Sequence, residues 1–99
     1  MQDLSDERCY LCGKSGYLHL HHCLYGNKRA TADKDGLYVW LCPECHEFGK
    51  DAVHGSSPEG LRRNKLLKRY AQACWEGFYG NRKDFIERYG KSYLGKDAE

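Results

Sequence analysis

Leu41-Cys42-Pro43-Glu44-Cys45-His46 is a Cys-x-x-Cys pair that runs straight into a histidine, and it has an upstream counterpart in Cys9-Tyr10-Leu11-Cys12-Gly13-Lys14. Within each pair the thiols are three residues apart, the spacing that lets one turn present two sulfurs to one ion. Glycine just past Cys12 has the backbone freedom that a rubredoxin-like knuckle needs to aim amides at sulfur. Four thiolates in two knuckles make a closed tetrahedral zinc site of the structural kind, with no coordination position left open. Cys9, Cys12, Cys42 and Cys45 are therefore the expected ligands of a structural zinc ion. A redox dithiol would sit in a βαβ setting, and neither pair does. Cys23 and Cys74 are left over and read as small core residues.

The chain has 99 residues, of which 40% are hydrophobic, and a formal charge of +2. That is one domain with little material for a core, the situation in which a bound metal makes up the shortfall. Met1 to Arg8 is polar and acidic, without the apolar run of a secretory leader, so a cytoplasmic setting with metal-bound rather than oxidised cysteines is expected. No run approaches membrane-spanning length, so no membrane partner is expected. A charge of +2 neither demands nor excludes nucleic acid; where the charge sits matters more.

An α+β fold follows from the local patterns. Tyr17-Leu18-His19-Leu20-His21 alternates like a half-buried strand, and Leu37-Tyr38-Val39-Trp40-Leu41 is a return strand. Between them, Gly26 to Gly36 carries Lys28, Arg29, Asp33, Lys34 and Asp35 and reads as an exposed loop. Pro43 suits the first turn of a short helix at the second knuckle. Ser57 is a good N-cap, Pro58 fits the next position, and the helix they start is expected to reach Phe78 or Tyr79. Leu67, Tyr70, Cys74 and Phe78 form its expected buried stripe, and Arg62, Lys65 and Arg69 a basic one. Asn81 and Asp84 cap a last helix with Phe85, Ile86 and Tyr89 on its apolar side and Gly90 as its stop. Beyond it the tail is expected to fray, with Tyr93 and Leu94 able to dock back.

All five histidines lie in the first 54 residues. Closing the zinc site would bring the His21-His22 doublet near His46. An ideal strand aims His21 and His22 at opposite faces, so one can ligate a metal while the other stays free as a base. His19 shares a face with His21 and reads as an ordinary strand residue. His54 stands eight residues past His46, near the same helix face if the helix continues that far; otherwise it comes from the loop beyond Gly49.

Taken together, Cys9-x-x-Cys12, Leu20-His21-His22, Leu41 to His46 and Val53-His54 resemble an HNH, or ββα-metal, endonuclease domain of the four-cysteine kind common in bacteriophage genomes. The resemblance covers about half the chain, and Asp84-Phe85-Ile86 with Gly90-Lys91-Ser92-Tyr93-Leu94 is similar to the tails of small phage HNH proteins. It implies a zinc-stabilised ββα-metal core over 1–55, a helical extension of the same domain over 56–94, and a frayed tail over 95–99. It implies His22 as general base and His21 and His46 as ligands of a catalytic divalent ion. Two positions depart from the common pattern. His21 stands where many members carry Asp, although colicin-type nucleases share the histidine, and no Asn occurs in Gly36 to Trp40, where the family's middle residue orients the base; Asn27 is the nearest. The colicin-type third ligand would fall on Lys50, so His54 is the candidate instead.

The implied activity is divalent-metal-dependent hydrolysis of DNA phosphodiesters, leaving 5′-phosphate and 3′-hydroxyl ends. An imidazole, with an ordinary pKa of about 6.5, can accept a proton from water at neutral pH. Imidazole ligands suit Zn²⁺, Ni²⁺, Co²⁺ or Mn²⁺ better than Mg²⁺. Lys28, Arg29, Arg62, Arg63, Lys65 and Arg69 are the candidate phosphate contacts, for a grip of low sequence specificity. Resemblance also points to phage DNA processing, with packaging proteins as partners in the bacterial cytoplasm. The alternative is a non-catalytic zinc-binding module for nucleic acid or protein, in which His22 is idle.

Overall fold

The computed structural model describes residues 1–95, a small α+β protein with a two-stranded sheet and several helices. Strand β1 (His19–His22) pairs antiparallel with β2 (Tyr38–Leu41), His21 lying opposite Val39 and His22 opposite Tyr38. The first knuckle joins this hairpin through the Tyr10 amide, which donates to the Trp40 carbonyl at 2.8 Å. Ahead of it the N-terminal segment covers the β2 edge: the Trp40 amide donates to Gln2 Oε1, and the Trp40 indole donates to the Leu4 carbonyl. Both backbone groups of Trp40 on this edge are thereby paired within the chain.

Gly26 to Gly36 is not the expected loop. A 3-10 turn at Gly26–Lys28 leads into α1 (Arg29–Asp35). Ala30 and Ala32 favour helix, Ala32 is fully buried, and Gly36 ends the helix in the left-handed region at φ 75°. One buried alanine gives no visible periodicity, so charge and glycine content dominated the sequence pattern.

The second knuckle opens a single helical turn of π type, Glu44–Phe48, and stops at Gly49. The Gly49 amide donates to the Glu44 carbonyl, and a Cβ on Gly49 would collide with that same carbonyl. The chain then reverses, so that the Val53 and His54 amides donate back to the Cys45 and His46 carbonyls.

Helix α2 (Pro58–Phe78) begins as expected, the Ser57 hydroxyl accepting from the Gly60 amide. Its buried face differs from the expected stripe. Leu67, Ala71 and Trp75 face the core at successive four-residue steps, whereas Tyr70 and Cys74 are half-buried and Phe78 is 80% exposed. Gln72 is also fully buried; its amide donates to Ser92 and Glu76, and its carbonyl accepts from the Tyr93 amide at 2.6 Å. That polar clasp docks Ser92 and Tyr93, so Tyr93 takes the docked course of the two that the sequence left open. Helix α3 (Arg82–Tyr89) carries the Asn81–Asp84 capping box and ends at Gly90 in the left-handed region. Of the tail expected to fray over 95–99, residues 96–99 lie outside the described residues.

One core joins these elements through Leu24, Leu37, Val39, Leu41, Val53, Leu67, Ala71, Trp75, Phe85 and Tyr89. Asp35 at the end of α1 pins it to the last two helices. Its carboxylate accepts from Trp75 Nε1 (2.9 Å), Tyr89 Oη (2.6 Å) and both Arg88 Nε and Nη2 (2.6 and 2.8 Å). Burial pushes this carboxyl up, but the bonds from Arg88, Tyr89 and Trp75 outweigh it and hold it below the usual carboxylate range. Asp35→Ala strands an indole N–H and a phenol, so we expect a loss of about 2–4 kcal/mol of stability. The urea midpoint at constant m checks this, and an unchanged midpoint would mean the donors find other partners.

Candidate metal centres and the histidine cleft

Cys9, Cys12, Cys42 and Cys45 converge, with their sulfurs all within 4.8 Å of one another. Cys12 Sγ and Cys42 Sγ are 3.7 Å apart. Zinc–sulfur bonds of about 2.3 Å in a tetrahedron put sulfurs about 3.8 Å apart, so the cluster fits a structural ion such as zinc. The Gly13 amide donates to the Cys9 carbonyl and the His46 amide to the Cys42 carbonyl, closing both knuckles. Burial raises the Cys9 thiol, but backbone amides of Cys42, Cys12 and Leu11 bring it down to about 7. Burial and the neighbouring sulfurs push the Cys45 thiol up. Sulfurs this close cannot all ionise unaided, and a dication removes that repulsion. Cys23 stands apart, fully buried, its thiol pushed up to about 12 by burial. It is a core residue, as expected.

Next to this cluster, His21, His46 and His54 each bring one ring nitrogen within 4.8 Å of the others. The ring centroids are 5.3 Å apart for His21–His46, 5.1 Å for His21–His54 and 4.7 Å for His46–His54. Three elements supply them: β1 gives His21, the knuckle turn gives His46, and the reversal after Gly49 gives His54. His54 therefore arrives from the loop and not from a continued helix. His21 is 1% exposed, and its Nε2 is buried without a hydrogen-bond partner. An orphaned nitrogen of this kind costs about 1–3 kcal/mol, a cost that coordination to a cation would remove. Three imidazoles are a donor set for zinc and its borderline neighbours.

Burial, reinforced by His46 and His54, pulls the His21 imidazole from its ordinary 6.5 down to about 3. Burial likewise lowers His46, with His54 adding to the effect. For His21 the sign follows directly. Below pH 6.5 the unfolded chain takes up a proton that the folded one refuses, so stability falls as pH drops toward 3. The slope is up to about 1.4 kcal/mol per pH unit. We expect urea midpoints between pH 7 and 5 to fall more steeply for the wild type than for His21→Leu. Parallel curves would contradict the assignment.

His22, the other half of the doublet, lines the same cleft of about 480 Å³ together with His21, Tyr25, Arg29, His46 and His54. Its Nε2 lies 3.0 Å from Asp33 Oδ1, and its side chain is 10% exposed. The residue beside His22 is therefore Asp33 on α1. Asn27, the nearest Asn in sequence, is exposed on the neighbouring surface. Five neighbours of the cleft were not legible in the sequence. Besides Asp33, the Tyr25 ring packs on His21 and His54, and Asn64 donates to its hydroxyl at 2.6 Å. Lys68 Nζ sits 4.8 Å from the Tyr25 ring centroid, and His19 Nδ1 lies 2.8 Å from His46 Nδ1. The only signal for Asp33 was an acidic residue in the segment between the strands.

The basic residues are dispersed. Arg29 lines the histidine cleft, whereas Lys28 Nζ donates to the Arg88 carbonyl. Arg62, Lys65 and Arg69 border a shallow groove on α2. Arg62 and Arg63 both pair with Glu59, and Arg63 also donates to the Asp51 carbonyl. Among the described residues no helix is long and apolar enough to cross a membrane. No family model, curated protein or solved structure matches this chain.

Proposed function

We propose that the chain is a divalent-metal-dependent endonuclease of the ββα-metal (HNH) type, hydrolysing phosphodiester bonds in DNA. The observation that carries this reading is the convergence of His21, His46 and His54 in a cleft shared with a fourth, separately held imidazole, His22. On this reading β1, β2 and the knuckle turn are the ββα unit, and the four thiolates hold its structural zinc. His21, His46 and His54 would hold the second ion, for which Zn²⁺, Ni²⁺, Co²⁺ and Mn²⁺ suit imidazole better than Mg²⁺. When bound, that ion supplies Lewis-acid stabilisation of charge on the phosphate and the leaving oxygen.

The proton chemistry belongs to His22 and Asp33. An ionised carboxylate only accepts hydrogen bonds, so His22 Nε2 carries the proton and Nδ1 keeps the lone pair. Nδ1 takes a proton from water in the cleft, and the hydroxide attacks phosphorus in line with the departing 3′ oxygen. Asp33 keeps the ring in that tautomer and offsets the charge of the imidazolium. Arg29, on the wall of the same cleft, is placed to donate to a phosphate oxygen, and Lys68 adds positive potential beside Tyr25. Elsewhere DNA is gripped through phosphates by Lys28, Arg62, Arg63, Lys65 and Arg69. Arg62 and Arg63 give up Glu59 to do so, which leaves Lys65 and Arg69 the readier contacts. Phage DNA processing in the bacterial cytoplasm, beside packaging proteins, is the biological setting this reading suggests.

Relaxation of supercoiled plasmid tests it, with Mg²⁺, Mn²⁺, Co²⁺, Ni²⁺ and Zn²⁺ titrated separately onto protein carrying its structural zinc. Nicking that requires an added ion is the expected result. Plasmid left supercoiled with every ion, by folded protein, would favour a non-catalytic zinc-binding module.

A further inference from the structure

We infer that His19, His46 and Glu47 form a second divalent-cation site that competes with the His21–His46–His54 set for His46. The three offer one donor atom each within 4.8 Å of one another, and His19 Nδ1 and His46 Nδ1 face each other at 2.8 Å. Two imidazole nitrogens can meet that closely only if a proton lies between them. A cation can take the place of that proton. Zinc–nitrogen bonds of about 2.05 Å in a tetrahedron put the nitrogens about 3.3 Å apart, so a small ring movement admits the ion. Glu47, exposed on the knuckle turn directly after His46, completes a His₂Glu donor set and offsets charge. Such a set takes zinc, cobalt or nickel, with water in the remaining position.

Competition follows from the chemistry of one ring. A neutral imidazole has a single lone pair in its plane, and its other nitrogen carries a proton. If both sets use the same His46 nitrogen, they exclude each other directly. If they use different nitrogens, ligation at one fixes the tautomer that blocks the other. His46 therefore serves one ion at a time. The consequence for activity rests on the endonuclease reading: surplus metal in the outer set withdraws His46 from the inner one and shuts cleavage off.

Calorimetry and visible absorption during Co²⁺ titration of the zinc-loaded protein test the site without reference to cleavage. Wild type is expected to take up one Co²⁺ beyond the structural ion. His54→Ala, which removes an inner ligand alone, still takes up one. Glu47→Gln added to His54→Ala weakens that uptake about tenfold or more, while Glu47→Gln alone leaves wild-type uptake unchanged. Two additional ions bound at once by wild type would overturn the competition. Uptake by His54→Ala that ignores Glu47→Gln would overturn the outer site itself. In plasmid assays, Glu47→Gln is expected to keep nicking at zinc concentrations that silence wild type, and equal silencing counts against the switch. Plasmid left supercoiled by wild type with every ion would sink the endonuclease reading and leave the binding result standing.

Discussion

His22→Ala is expected to reduce plasmid nicking by about 10²- to 10⁴-fold, the usual share of a general base, with folding and metal content unchanged. His22 is not among the three histidines that converge, so its loss removes no candidate ligand. Its side chain bonds Asp33 and meets the edge of Tyr38 at the rim of the cleft, outside the main core. Truncation there removes a mostly buried ring and its bond to Asp33 but nothing from the main core, so a stability loss of about 1 kcal/mol with the fold retained is expected. The comparison that matters is single-turnover cleavage at saturating metal, beside a thermal melt and a metal count for both proteins. Equal cleavage rates would mean that His22 is not the base. An unfolded protein or a lost ion would mean that it holds structure instead.

The largest effect on stability is expected from Cys9→Ser, or from stripping the ion out of the four-cysteine cluster. The sheet has two strands of four residues, too little for independent stability. Cys9, Cys42 and Cys45 are themselves part of the buried cluster, so the candidate metal site and the core are one object. Structural zinc in small domains contributes about 10–16 kcal/mol of apparent binding energy, more than a domain of this size can hold in reserve. Circular dichroism during chelator treatment reads the result: loss of the folded signal together with release of one zinc per chain. Cys23→Ser, which alters a buried thiol outside the cluster, is the control for burial alone. If Cys9→Ser melts with wild type, the cluster is not what holds the fold.

Legibility in the sequence tracked the range of the interaction. Ser57 with Pro58 and Asn81 with Asp84 are signals spanning a few residues, and both helices start where those signals stand. The buried face of α2 was less legible, because which side of a helix meets the core depends on what packs there. Trp75 turns inward to reach Asp35, forty residues away in the chain, and Phe78 is left outside. Helix α1 was hidden by its charges and by the glycines that flank it, and with it the contact from Asp33 to His22. His19 read as an ordinary strand residue; its nearest partner, His46, is twenty-seven positions on.

By itself the sequence determined which side chains can act as donors, and it determined the two knuckles. A Cys-x-x-Cys turn is local, and thiolate chemistry needs nothing from the rest of the chain to be recognised. Only the tertiary structure decided which histidines meet. His54 reaches His21 because the chain reverses at Gly49, where no side chain fits, and His22 meets Asp33 because α1 packs Ala32 into the core. Both outcomes depend on backbone reversals and packing between distant segments, which residue spacing does not encode.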